Sequence, residues 1–331
     1  MMRSALLLIL ALLLTGGCAL NEATRSQFVA FKNFTRGEHY LSTKQYAEGL
    51  AVFEGEVDAN PTDPYAHYYL GRCRLALDQP QPALAALKRA AALKPDDADF
   101  LFWLGVAQGL NGDSRAERRT YLRVLALKPD HVQALVYLGH NRLEAGQDRT
   151  ALGLYNKALR LVPTIPQALY NRGLILRDLG RTPEEIEAWK IYLDTYSEGA
   201  FARLAAEHLN SHGDFTYRNH LIGKRTLTLH RIAFAPFSSR LDKRSEDTLK
   251  TLAAIMARTP ELRLDVIVYQ KRNLKLAEVR AKRVKYFLMR QKSAIESRRI
   301  RLSWFDQPET VAVGGRTFVL DQSVNFFGTL R

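Results

Sequence analysis

The chain has 331 residues, 47% of them hydrophobic and 25% charged, which is a globular composition with length for two domains. Its formal charge is +14, and 24 Lys/Arg against 11 Asp/Glu stand from Ser211 onward, leaving the first 210 residues near balance. The break argues for two modules, the second attracting anionic partners, and two cysteines are too few for a disulfide framework.

The amino terminus carries Arg3, the apolar run Ala5–Leu14, then Thr15, Gly16, Gly17 and Cys18. Ten helical residues reach only ~15 Å, about half a bilayer core, so the run is a secretory signal rather than a membrane span. The stretch resembles the lipobox of bacterial lipoproteins, with Thr15 standing where that family prefers Leu or Val. The resemblance implies a signal peptide over 1–17, cleavage before Cys18, palmitate-class acyl chains on Cys18, and a tether over 18–29. Ala19 in place of Asp implies sorting to the outer membrane, on its periplasmic side. Cys73 falls among Tyr69, Leu70, Leu75 and Leu77 and reads as a buried core thiol.

A period of 34 governs the next stretch. Gly37, Gly71, Gly105, Gly139 and Gly173 share one column, and Pro61, Pro95, Pro129 and Pro163 another. Leu70, Leu104 and Leu138 precede their glycines, and Phe53, Leu87, Tyr121, Tyr155 and Trp189 form a third column. Within 83–94 apolar residues recur at helical spacing until Pro95 ends the run. These offsets resemble the tetratricopeptide (TPR) repeat, in five units over 30–63, 64–97, 98–131, 132–165 and 166–199, with a capping helix over 200–210. The resemblance implies an all-α solenoid of stacked helical hairpins. Carrying over that family's groove offsets selects Tyr65, Tyr68, Tyr69, Arg72, Phe102, Trp103, Tyr137, His140, Tyr170 and Asn171 for binding a protein or an extended peptide. Rings at helical spacing also serve as packing, so both roles are open for each.

A linker is expected over 211–225 and a smaller basic α/β domain over 226–331. Thr226–Phe234, Arg263–Tyr269, Arg299–Trp304 and Thr317–Asn325 read as strands. Ser245–Ala257 reads as a serine-capped helix and Leu274–Gln291 as a long basic one. The order is a β-α-β-α-β sandwich. Asn273 through Ala281 resembles the N-x-x-L-S-x-x-R-A stretch of OmpA-like peptidoglycan-binding domains, with Ala277 in place of Ser. The resemblance implies a wall-peptide site at Arg280 and Asn273. That family's aspartate has no counterpart here, and Lys271 and Arg272 occupy the shortened loop, suited to a carboxylate or phosphate. Three readings stay open for this domain: protein contact, peptidoglycan binding led by Arg280, or contact with an anionic membrane or lipopolysaccharide.

No metalloprotease, nucleophile-elbow, P-loop or dinucleotide motif occurs, and no nucleic-acid recognition motif. His208 and His212 lie four apart, but the sequence supplies no third ligand, so neither metal nor cofactor is expected. The expectation is a non-catalytic cell-envelope lipoprotein acting as scaffold or assembly factor. The alternative is an accessory subunit or enzyme of cell-wall or polysaccharide metabolism.

Overall fold

The computed structural model describes residues 26–292 and 295–330, so the signal segment and Cys18 lie outside the described residues. The chain divides into two compact units between Val162 and Pro163.

The first unit is a series of helical hairpins. They pair α1 (26–42) with α2 (Tyr46–Ala59), α3 (Pro64–Ala76) with α4 (Pro80–Leu93), α5 (Ala98–Leu110) with α6 (Ser114–Leu127), and α7 (Val132–Glu144) with α8 (Asp148–Leu161). Helix is already formed at 26–29, residues that the sequence assigned to the tether. The glycine column has a direct cause. A Cβ on Gly71 would lie 2.5 Å from Leu87, one on Gly139 2.8 Å from Tyr155, and Gly105 faces Tyr121 in the same way. Each glycine therefore receives the large residue sixteen positions later, and Leu87, Tyr121 and Tyr155 are fully buried there.

Two further columns keep the same period. The residues before α3, α5 and α7 are Asp63, Asp97 and His131, and each side chain accepts a hydrogen bond from a first-turn backbone N–H. A cap of this kind contributes ~1 kcal/mol. The turns inside the first four hairpins all pass through a left-handed residue: Lys44 (φ 59°), Asp78 (φ 58°), Gly112 (φ 79°) and Gly146 (φ 67°).

The second unit opens with α9 (Pro166–Asp178), α10 (Thr182–Thr195) and α11 (Ala200–Ser211). Gly173 receives Trp189, and the His208 ring of α11 stacks on Trp189 at 5.1 Å, closing this hairpin. A strand-rich part follows. Its strands are β1 (Tyr217–Ile222), β2 (Arg225–His230), β3 (Leu262–Gln270), β4 (Ile300–Phe305), β5 (Glu309–Val313), β6 (Arg316–Leu320) and β7 (Gln322–Leu330). Five of them form a sheet in the order β2-β1-β7-β3-β4, and β5 and β6 form a separate hairpin. The β3–β4 pair is parallel, while β1–β2 and β3–β7 are antiparallel. Helices α12 (Lys243–Arg258) and α13 (Leu274–Gln291) bury Leu249, Leu252, Met256, Val284 and Leu288 with Leu264, Val266, Val268 and Phe326 of the sheet.

The structure corrects the sequence reading here. The expected linker over 211–225 contains β1, which sits between β2 and β7 and follows α11 after a short connection. Asn210 fastens that connection by donating to the Asp214 and Tyr217 carbonyls. Gly223 (φ 66°) and Lys224 make a two-residue hairpin turn into β2. The run expected as one strand over Thr317–Asn325 is split at Asp321 between β6 and β7. The cap of α12 is Asp242, whose carboxylate accepts from the Ser245 N–H at 2.7 Å; Ser245 itself bonds Ala233. Arg299, expected to begin a strand, is turned inward, donating to the carbonyls of Met256, Thr259 and Leu262 around the end of α12.

Candidate functional site

The best-formed candidate surface in the first unit is the face shared by α3, α5 and α7. Tyr68 stacks on Phe100 (4.4 Å, 13° between planes), and Arg72 donates to the Tyr68 hydroxyl at 2.8 Å. The same guanidinium lies 3.7 Å from the centroid of the Trp103 ring. Phe102 meets Tyr137 edge-on at 5.3 Å, and Tyr137 lies 5.9 Å from His140. The result is a row running from Arg72 over Trp103 and Tyr137 to His140.

Burial sorts the expected groove residues. Tyr68, Tyr69 and Phe102 are buried, so they are packing and not contact surface. Tyr69, only 1% exposed, fills the space over Gly37, stacks on Phe53 at 5.5 Å and donates to Glu38 at 2.9 Å. Burial pushes the Tyr68 hydroxyl up to about 12, so it is a neutral donor and acceptor throughout the ordinary pH range. Tyr65 is half-buried, with its hydroxyl accepting from Lys94 at 3.0 Å. Arg72, Trp103 and His140 are half-buried, and Tyr137 is 38% exposed. Burial also lowers the His140 pKa, which keeps this imidazole neutral near pH 7. The ion pairs found among the described residues give Arg72 no carboxylate, so its charge meets only a hydroxyl and two aromatic faces. Cys73 is buried, and its thiol is pushed up to about 11 by burial, which makes it unreactive.

Tyr170 and Asn171 belong to the second unit. Tyr170 packs among Trp189, Tyr192 and Phe201, at 5.3, 5.4 and 4.8 Å, and Asn171 is half-buried beside it in α9.

The expected anion site of the strand-rich part takes a different form. Arg280 is 2% exposed. Its Nε donates to the Ser238 carbonyl at 2.9 Å, and its Nη1 donates to Gln322 at 2.8 Å and to Gln270. The Phe234 ring lies 4.7 Å away. All of these partners are neutral, and they pin the 235–241 loop to the ends of β3 and β7. Asn273 caps α13 by accepting from the Leu276 N–H at 2.9 Å. Lys271 and Arg272 are exposed, and Lys271 is paired with Asp321 at 2.9 Å. Two of the four residues are thus structural as they stand. The reason is that the Arg-Ala pair fixes a position on α13 but not what its guanidinium meets.

A site that sequence reasoning missed lies in the second unit. Asp194 of α10 accepts from the Tyr217 hydroxyl at 2.5 Å and from Arg244 at 3.0 Å, in the wall of a cleft of about 360 Å³ also lined by His230 and Thr248. Lys190 pairs with Asp214 at 2.5 Å nearby. These partners are separated by 23 to 50 residues, which no local spacing reveals. His208 and His212 have different partners: His212 bonds Glu185 at 3.0 Å while His208 stacks on Trp189. Among the described residues there is no group of three or more metal-ligating side chains.

Family models for the tetratricopeptide repeat match residues 40–102 and, with a second model, 74–132 and 136–200. The chain thus carries helical TPR repeats, followed by a smaller strand-rich domain, and TPR repeats point to a protein-interaction or scaffold role. Among solved structures, pilF of Pseudomonas aeruginosa shares the helical fold, with a TM-score of 0.52 and 16% identity over 57% of this chain and 86% of that one. MamA gives a TM-score of 0.45 at 21% identity, over 48% of this chain and 93% of its own. YrrB, described as a TPR protein with an unusual peptide-binding site, gives 0.46 at 16%, over 54% and 92%. No curated protein matches the chain.

Proposed function

We propose that this protein is a non-catalytic, lipid-anchored scaffold of the bacterial cell envelope. In this reading Cys18 carries the lipid at the outer membrane, and the Arg72–Trp103–Tyr137 face takes up a peptide segment of a partner. The observation that carries it is the guanidinium of Arg72, laid on Trp103 without a carboxylate. It suits a segment that offers a carboxylate beside an aromatic or aliphatic side chain. The test is retention of envelope proteins by the immobilised full chain. Arg72→Glu and Tyr137→Ala should each lose the retained partner, while Leu122→Ala on α6 keeps it. Equal retention by all three variants contradicts the assignment.

The order strand, helix, strand, helix, strand from β2 to β4 is the one that an OmpA-like resemblance implies, and it supports a domain of that type. The burial of Arg280 among neutral acceptors favours protein contact over the wall peptide for this domain. The full chain should therefore stay in the supernatant when purified sacculi are pelleted. Co-sedimentation would restore the peptidoglycan reading.

A further inference from the structure

The first helix carries an aromatic stripe that the functional reading leaves unused. Phe28 and Phe31 of α1 are 68% and 67% exposed, and Phe34 is exposed beside them with its ring edge against Tyr65 and Tyr69. Three-residue spacing runs the stripe along one side of the helix. Asn33 and Gly37 face inward, Asn33 donating to Asp63 at 2.5 Å and Gly37 lying under the Tyr69 ring. Lys32 and Arg36 lie at the flank of the helix and share Glu56 at 2.8 and 2.9 Å. The fifth hairpin is finished differently, since α11 lays His208 on Trp189 and Phe201 on Tyr170. Terminal repeats of a solenoid ordinarily end in a polar outer face, so exposed phenylalanines on α1 call for a covering surface.

We propose that Phe28 and Phe31, with Phe34 at the margin, rest in the headgroup region of a bilayer and hold the first hairpin against the membrane. This rests on the reading that Cys18 is acylated. Two observations select a bilayer as the occupant. Phe28 follows Cys18 by ten residues, which span at most ~35 Å, so α1 stays within reach of the headgroups. Phenylalanines on one side of a helix that also bears Lys32 and Arg36 have the chemistry of helices lying in the interface.

The test uses the full chain with Phe28→Cys or Phe31→Cys, and Tyr286→Cys on α13 as the reference position, since Tyr286 is also exposed. Cys73 is buried and does not compete for label. Each protein is labelled with a polarity-sensitive dye and reconstituted into phosphatidylethanolamine/phosphatidylglycerol vesicles, with and without lipid spin-labelled near the headgroup. Quenching several-fold stronger at 28 and 31 than at 286 is expected. Equal quenching at all three, with Cys18 acylated by intact mass and the protein pelleting with the vesicles, overturns this proposal and leaves the anchor standing. An unmodified Cys18 in protein that stays in the supernatant removes the anchor and this inference together. A dimer that F28S/F31S converts to monomer also overturns it, because a second copy would then be the occupant.

Discussion

Two glycines of the same hairpin should respond in opposite directions to one added methyl group. Gly139 in α7 lies against Tyr155, where a Cβ would meet Cε1 at 2.8 Å, Cζ at 3.0 Å and Cδ1 at 3.1 Å. Tyr155 is fully buried, and its rigid ring is part of the core. Overpacking of this kind costs roughly 1–3 kcal/mol, and the gain in helix propensity from Gly to Ala returns about 1 kcal/mol. Gly139→Ala should therefore destabilise the first unit by up to about 2 kcal/mol. Gly153 in α8 is exposed, and a Cβ there meets nothing within 4 Å, so Gly153→Ala should stabilise by about 0.5–1 kcal/mol. Urea unfolding followed by far-ultraviolet circular dichroism gives both midpoints. The same sign for both variants would refute the account of the glycine column as a seat for the neighbouring ring.

The turn column predicts that Lys44→Gly stabilises by up to about 1 kcal/mol and that Gly146→Ala destabilises by about 1–2, read in the same titrations. Arg280→Ala removes a buried guanidinium that three partly exposed acceptors share and should cost about 1–3 kcal/mol in the second unit, seen as a lowered midpoint of near-ultraviolet or Trp304 signals. Burial lowers the His220 pKa from 6.5 to about 4, while Nδ1 accepts from the Phe326 N–H. Because the folded value lies below the unfolded one, stability is complete above about pH 6.5 and falls as the pH drops toward 4, by on the order of 3 kcal/mol. His220→Gln should flatten that decline. Cys73 should stay unlabelled by a maleimide at pH 8 in the folded protein and react at once in denaturant.

The helical part was legible because its packing rule lies in the sequence at fixed spacing, with a glycine and sixteen residues later the side chain that fills its place. The turn column was hidden by Lys44 and Asp78, which adopt a conformation that glycine adopts in later repeats. Exposure within one column was not legible either. Tyr69 and Tyr137 share an offset, yet Tyr69 drops over Gly37 onto Phe53 while Tyr137 stands against Phe102 with one side open. β1 escaped notice because its buried residues include Tyr217 and His220, which lie three apart on opposite faces and leave no alternation of apolar residues to read. Its polar neighbours are satisfied from afar: Arg218 reaches Glu309 at 2.8 Å and Asn325 at 2.7 Å. Arg280 was legible as a position but not as an environment, since Ser238 and Gln322 each come from 42 residues away.

The central claim, that the α3–α5–α7 face holds a partner, is tested most directly by crosslinking in cells with a photoreactive residue at Trp103 and, for comparison, at Leu122. The account predicts a discrete crosslinked protein at 103 that is absent at 122 and lost when Arg72→Glu is added. A clean lane at 103, or the same product at both positions, would contradict it.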